Sequence, residues 1–483
     1  MKEIDQIVAN LKKDTKESGD ITYREKQVCK KKVYIIYNEP LTSSDKISDF
    51  IIRSLDHINK TYKHPRDLGS IIYNEIDNFK IKKVTTYQDI CYYLNYGFTI
   101  ILLEGNDYHF VLETKRNLSR SISSPQTESA LRGSMDSFVE DMQTNMGLFR
   151  RRIKDNNLWT ESLEIGRHTK TKINILYMNG ICKPELVNAV KEKINNIDID
   201  GIISSGTIKN LIEKETKSVF PTIFSTERPD KACRSLLNGR VIILVDCSQF
   251  ALILPLVLND LFLSTEDGFG KNINITFTRL VRYLAFFITL FTPAVYLAVT
   301  TYNQEMLPTE LLVSFASQRS SVPFPAFVEA MIMALAFEIL RECDLRSPTF
   351  TASALSTVGA LILGEAAVNA GIVSPIMIIV IAITALSGLL FTEPEMINGL
   401  RWYRIFFMIG ASLMGILGVV LTFVYFITKL CSLKSFNIPY LSPYSPISST
   451  GLKNSIIKFP AKDLNKREKL LSNNITKYKK VKE

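Results

Sequence analysis

The sequence predicts an α/β soluble N-terminal region of two related lobes, followed by an all-α polytopic membrane domain and a basic C-terminal tail. Three observations carry this. Charged residues crowd the first ~240 positions and the last fifty or so, leaving an almost lipid-like stretch between them. Two segments about 142 residues apart repeat one helix–Gly–strand pattern. Inside the apolar stretch sit Glu329, Glu338 and Arg341. Ionisable side chains at bilayer depth cost several kcal/mol unless they face a bundle interior, a partner charge or water.

Residues 1–30 are Lys-rich and lack periodicity, which predicts a mobile arm. Lobe one is placed at 31–115. Val33-Tyr-Ile-Ile-Tyr reads as a buried strand, and Ser44–Asn59, with Ile47, Phe50, Ile51 and Leu55 at helical spacing, reads as an amphipathic helix. Asp89–Glu104 can then be laid over Lys231–Asp246, matching Cys91 with Cys233, Leu94 with Leu236, Gly97 with Gly239 and Glu104 with Asp246. Each copy is a short helix, a C-capping Gly, an aliphatic strand and an acid-led turn. The strand Ile173-Asn-Ile-Leu-Tyr and helix Pro184–Ile194 repeat the upstream pair.

A Ser/Arg/Pro-rich linker is expected at 116–130, then a helical connector and lobe two at 131–270. The connector helix, over Asp136–Asn157, ends in Arg150-Arg-Arg-Ile-Lys, which reads as a solvated helix end or as a docking surface. Val241–Leu263 is apolar enough for a membrane span. Asp246, Asp260 and the register with the first copy make it strand, turn and strand instead.

The membrane domain is placed at 271–430. Tyr283–Tyr302 and Ile405–Thr428 are uncharged runs of membrane-spanning length, Ala366–Phe391 is a third that starts or kinks at Pro375, and Ala326–Leu340, shorter and carrying Glu329, is a buried or partial span. The tail, 431–483, is basic: from Lys429 onward there are twelve Lys/Arg against three Asp/Glu. A basic tail beside a membrane helix marks a cytoplasmic end that touches lipid headgroups. Nucleic acid is not the expected partner, because no aromatic-basic motif accompanies the charge.

The seven cysteines lie far apart with no CxxC, which points to reduced thiols and no metal site. The start, Met-Lys-Glu-Ile-Asp, is not a cleavable signal peptide. All four histidines (57, 64, 109, 168) fall in the first half, and there is no Walker A loop, HExxH or GxSxG. No enzyme chemistry and no cofactor are expected.

Within the apolar section, Glu329 and Glu338 are nine residues apart and fall on opposite sides of a helix, so they cannot form one acid/base pair. Glu338 and Arg341 can pair at i, i+3. Glu329, entered through Pro323 and Pro325, suits interhelix or subunit contact and also ion coordination. Ala360, Gly364, Ala367 and Gly371 share one small-residue face, fit for close helix packing or for a pore wall, with Glu365 and Asn369 beside it.

The motifs Glu227-Arg-Pro-Asp230, Gln304-Glu-Met-Leu-Pro308, Val322-Pro-Phe-Pro-Ala-Phe-Val-Glu329, Phe337-Glu-Ile-Leu-Arg-Glu342, Val358-Gly-Ala-Leu-Ile-Leu-Gly364 and Val373-Ser-Pro-Ile-Met-Ile-Ile-Val380, in this order, resemble the A subunit of GerA-type spore germination receptors. The resemblance covers residues 30–440. It implies the spore inner membrane, a permease-like B subunit, a lipoprotein C subunit, and an A subunit that oligomerises into an ion pathway gated by nutrient. Two positions depart from the family pattern: Ala334, where Glu is usual, and Glu365, where Gln is common. Glu329 and Glu365 are the expected pathway or interface charges, with Asn369, Gly364 and Ala360 beside them. Pro323, Pro325, Glu338, Arg341 and Pro375 are the expected shaping motif. A non-conducting scaffold subunit is the alternative. A solute transporter fits less well, with too few spans and no inverted repeat.

Overall fold

The computed structural model describes residues 3–62, 65, 67–76, 80–116, 125, 127–128, 133–213, 218–346, 364–391, 393–460, 463–473 and 476. Lobe one contains α1 (Glu3–Thr15), β1 (Ile21–Val28), β2 (Lys31–Asn38), α2 (Ser44–Lys46), α3 (Arg53–Thr61), α4 (Leu68–Glu75), β3 (Ile81–Val84), α5 (Tyr87–Asn95), β4 (Phe98–Leu103) and β5 (His109–Glu113). A π-helical turn, Ile47–Ile52, joins α2 to α3. After α6 (Met142–Arg152), lobe two follows as β6 (Leu158–Ile165), β7 (Thr171–Met178), α7 (Pro184–Asn195), α8 (Ser205–Glu213), β8 (Phe224–Thr226), α9 (Pro229–Leu237), β9 (Val241–Val245) and β10 (Ala251–Leu254).

The two lobes have one topology. Their antiparallel sheets run β1-β2-β4-β5-β3 and β6-β7-β9-β10-β8. The registers match as well: Ile35 lies opposite Ile101, and Ile175 opposite Ile243. Gly97 and Gly239 close the equivalent helices α5 and α9 at φ +79° and +92°, a conformation that costs residues with a Cβ about 1–2 kcal/mol. The central strands are aliphatic on both sides because helices cover both faces. In lobe one, α3 and α4 pack on one face and α1 and α5 on the other. In lobe two, α7 and α8 cover Ile173 and Ile175. Its other face, with Leu176, Met178 and Leu244, joins a core that continues into the apolar helices. The lobe and the helical region therefore share one interior.

Residues 3–30 are not a free arm. Ile4, Val8 and Leu11 repeat at i, i+4, i+7 and bury α1 against lobe one, and β1 is an edge strand of its sheet. The arm also ties the lobes together, with Lys16 Nζ 2.8 Å from Glu161 Oε1 on β6. Arg150 departs from the solvated helix end: it is buried and holds Asp20 through Nε and Nη2 at 2.7 and 3.0 Å. The connector helix is shorter than expected, because Asp141 caps Thr144 N and starts α6 there. Most of the expected linker lies outside the described residues.

The helical region holds α10 (Asn272–Thr301), α11 (Thr309–Arg319), α12 (Ala326–Arg346), α13 (364–369), α14 (Pro375–Gly388) and α15 (Pro394–Ser432). By length and composition α10 and α15 could each cross a membrane. The expectation of one straight helix over Ile405–Thr428 fails at Gly415, where φ +61°, ψ −139° breaks the helix. The rings of Tyr403 and Phe426 lie 4.7 Å apart. On a straight helix, 23 residues at 1.5 Å rise would part them by about 35 Å. The segment is a hairpin. Gly410 and Gly418 let its halves touch, since a Cβ on Gly418 would overlap the Gly410 carbonyl. The bend docks on the end of α10, where Asn303 Oδ1 accepts from Ile416 N at 3.1 Å and caps the second half.

The hairpin returns the chain to lobe two. The basic flanks Arg401/Arg404 and Lys429 consequently lie toward one end of the bundle. The tail is not loose where it is described: β11 (Lys434–Ser435), β12 (Ile438–Pro439) and α16 (Ser449–Leu452) pack on lobe two and the base of α10. Ser435 Oγ donates to Thr222 O at 2.7 Å, Leu258 N to Tyr440 O at 2.8 Å, and Arg279 Nη1 to Ser455 O at 2.9 Å.

Candidate functional site

The sequence Val322-Pro-Phe-Pro fixes an extended entry to α12, because each proline restricts its own φ and the residue before it. Pro325 O then accepts from Glu329 N at 3.0 Å and opens the helix. This sets the Glu329 side chain, wholly buried, against the start of α14. There Gly371, at φ +65°, turns the chain, Ser374 caps α14 and Pro375 occupies its first turn. Glu329 Oε1 accepts from Ser374 N at 2.6 Å and from Ser374 Oγ at 2.5 Å. A carboxylate at a helix N-terminus meets unpaired N–H groups and the positive end of the dipole. Oε2 faces Arg319 Nε of α11 at 4.0 Å, and neither atom has a hydrogen-bond partner among the described residues. Tyr296 Oη of α10 is also buried. One carboxylate thus fastens α12 to α14 beside a second helix carrying an arginine.

Glu338 lies on another side of α12, as its spacing from Glu329 requires. Arg341 is 3.8 Å away, but Arg401 and Arg404 of α15 approach Glu338 Oε1 more closely, at 2.8 and 3.5 Å. The i, i+3 pair is therefore part of a three-arginine cluster. Its other members come from some sixty residues down the chain, where no local spacing could reveal them.

The third group is differently placed. Glu365 and Asn369 of α13 are exposed, and a Cβ on Gly364 would meet no atom of the described residues within 4 Å. Ala367, on the same small-residue face, packs on the core with Val368, so that face is in part used within this chain. Ala360 lies outside the described residues. Glu329 and Glu365 are thus not brought to one buried site: one is sealed inside the helices and the other looks outward.

Lobe two contributes a further motif. The buried Arg228 of Glu227-Arg-Pro-Asp230 donates to the carbonyls of Glu128 and Ser134 at 3.0 and 3.1 Å and pairs with Asp230. Glu227 Oε1 accepts from Glu128 N at 2.8 Å. Both residues clamp the chain that leaves lobe one. Beneath the helices, Glu393 is buried, and that desolvation raises its carboxyl to about 7, against the pull of Lys209 and Lys231. Among the described residues no group of His, Cys, Asp and Glu could hold a metal ion.

The sequence profile described as Bacillus/Clostridium GerA spore germination protein matches residues 9–470. This chain belongs to the GerA spore germination family. It is 39% identical over 456 residues to spore germination protein KA of Bacillus subtilis (strain 168), covering 94% of this chain and 84% of that one. With spore germination protein A1 of the same organism the identity is 34% over 451 residues, 93% and 92% of the two chains. A further relative there, uncharacterized membrane protein YfkQ, is 34% identical over 428 residues, 88% and 83% of the two chains. Among solved structures, the N-terminal domain of the A subunit of the Bacillus megaterium spore germinant receptor GerK3 covers 51% of this chain and 92% of its own. It has 29% identity and a TM-score of 0.41. In this GerA family member the Pro-Phe-Pro and Ser-Pro motifs meet through Glu329 and Ser374.

Proposed function

We propose that this GerA-family chain is the A subunit of a nutrient-sensing germination receptor in the spore inner membrane. In this reading α10 to α15 cross the bilayer, and several copies surround an ion pathway. The observation that carries it is a charged interior inside an apolar exterior. Glu329 is sealed within the helices, while Leu280, Leu284, Leu335, Leu386, Leu413 and Leu421 point outward. Soluble monomers rarely expose apolar patches of more than a few hundred Å². Lipid removes that cost, and both halves of the hairpin satisfy their own backbone groups, as a bilayer demands.

The exposed Glu365 and Asn369 support a second copy as the neighbour of α13, so that the small-residue face is completed between subunits. The permease-like B subunit and lipoprotein C subunit are the other expected partners. Germinant binding elsewhere in the complex would shift a closed–open equilibrium, and lobe two, whose core runs into the helices, would carry the coupling. A non-conducting scaffold is the second reading, favoured by Glu329 finding its hydrogen bonds within its own chain. Planar-bilayer recording from purified protein separates the two. A cation-selective current that changes in Glu365→Gln supports the pathway. Absence of current from protein shown to be multimeric refutes it.

A further inference from the structure

The arginine cluster on α12 and α15 carries more positive charge than the described residues around it balance. Glu338 is the shared counter-ion of Arg341, Arg401 and Arg404, and Glu342, one turn further on, is taken up by Arg346 at 2.6 Å. Four guanidiniums against Glu338, Glu342 and the exposed Asp344 leave one positive charge. Arg404 is nearly buried, and its Nε has no hydrogen-bond partner among the described residues. Arg401 Nε touches Glu338 as an ion contact without hydrogen-bond geometry, while its Nη2 donates to Asn398 at 3.2 Å.

The surroundings name the missing anion. Arg404 is eleven residues before the bend at Gly415, about 17 Å along the helix, which puts the cluster in the lobe-facing half of the bundle. Next to it Trp402 is exposed, as tryptophans are at the headgroup level of membrane proteins. Leu335, Ile339 and Phe406 continue the exposed surface as hydrocarbon. A ligand that puts an anion on the arginines and acyl chains on this surface is an anionic phospholipid. Its phosphate oxygens accept the paired N–H groups that guanidinium presents.

We infer that Arg341, Arg401 and Arg404 form a binding site for the phosphate of an anionic lipid in the lobe-side leaflet, with Glu338 as the internal carboxylate that the phosphate competes with. The site rests on the membrane reading of α12 and α15. It gives opposite signs for neighbouring substitutions, which a merely structural cluster would not.

The test uses full-length protein reconstituted in nanodiscs of phosphatidylglycerol and phosphatidylcholine, re-extracted in detergent and weighed with its retained lipid by native mass spectrometry. Arg404→Gln is expected to lower the retained phosphatidylglycerol ratio about fivefold, the worth of ~1 kcal/mol per basic residue at an anionic surface, and Arg401→Gln/Arg404→Gln to lower it further. Glu338→Gln is expected to raise it. Arg24→Gln/Lys60→Gln, which alters exposed basic residues of lobe one away from the helices, should leave it unchanged, and millimolar inorganic phosphate should not displace the lipid. Equal retention in all variants, or a fall in Glu338→Gln, overturns the inference. So does unchanged lipid accompanied by loss of a co-purifying receptor subunit, which would assign the cluster to a partner's carboxylate. Release of wild-type protein from membranes by alkaline carbonate would refute the membrane reading itself, whereas lost selectivity in protein that stays embedded refutes only the lipid site.

Discussion

Removing the Glu329 carboxylate should loosen the junction of α12 and α14 without unravelling the lobes. In Glu329→Ala, Ser374 N–H and Ser374 Oγ–H lose their shared acceptor, held at 2.6 and 2.5 Å. An orphaned buried donor costs about 1–3 kcal/mol, and bonds to a charged acceptor lie at the upper end of the usual range. Arg319 adds little, because its side chain is 24% exposed and can turn to solvent. A loss of about 2–3 kcal/mol is therefore expected for Ala. Glu329→Gln keeps an acceptor oxygen at the same place and should cost about 1 kcal/mol. Ser374→Ala removes the hydroxyl bond and the cap on Met377 N, again about 1 kcal/mol. Equilibrium unfolding of purified protein in a Trp159→Phe background in mixed micelles, read by fluorescence of the remaining Trp402, measures all three and the double mutant. The expected order is Ala worst, with the Glu329–Ser374 double mutant less than additive. Wild-type stability in Glu329→Ala, or strict additivity, would refute the junction.

Other consequences are checked as simply. Gly415→Ala must force a Cβ against Asn303 Oδ1 and Tyr302 Cβ, which would be only 2.6 and 2.7 Å away, at a positive φ. A loss of at least about 1–2 kcal/mol and faster proteolysis at the bend are expected. Arg150→Ala strands the buried Asp20 and should cost about 3–5 kcal/mol in thermal unfolding, whereas Arg150→Met with Asp20→Leu should recover most of it. Burial alone would raise Glu161, but hydrogen bonds from Lys16, Lys191 and Tyr177 outweigh it and hold the carboxyl at about 2, below its usual 4.5. Because the folded value is the lower one, its stabilisation is complete above pH 4.5 and is lost as pH falls toward 2. Hydrogen exchange across α1 should therefore accelerate over that window, and Lys16→Met should flatten the dependence.

Much of the soluble fold is written locally. Each lobe announces itself by an aliphatic run after a capping glycine, and the constant offset between Cys91 and Cys233 reappears as matched strand registers. The spacing of Glu329 and Glu338 likewise foretells their different surroundings. Other features escape for physical reasons. Hydropathy is blind to direction, so a hairpin and a long span read alike; only the close run Gly410, Gly415, Gly418 hints at the bend. Lysine-rich composition hides the buried period of Ile4, Val8 and Leu11 in α1. Arg150 looks solvated until Asp20, 130 residues away, is folded onto it. The company of Glu338 depends on how α12 and α15 cross, which no single helix encodes.

The proposed function requires the helices to lie in a bilayer, with α10 crossing it and α15 turning back at Gly415. Single cysteines introduced at Met414, Glu305 and Ser449 in a background cleared of the seven native ones test this, using a membrane-impermeant maleimide on sealed right-side-out and inverted vesicles. The account expects Met414 and Glu305 to react from one face and Ser449, with lobe-one position Glu17, from the other. Reaction of Met414 and Ser449 from the same face, or of all four in both preparations, would contradict it.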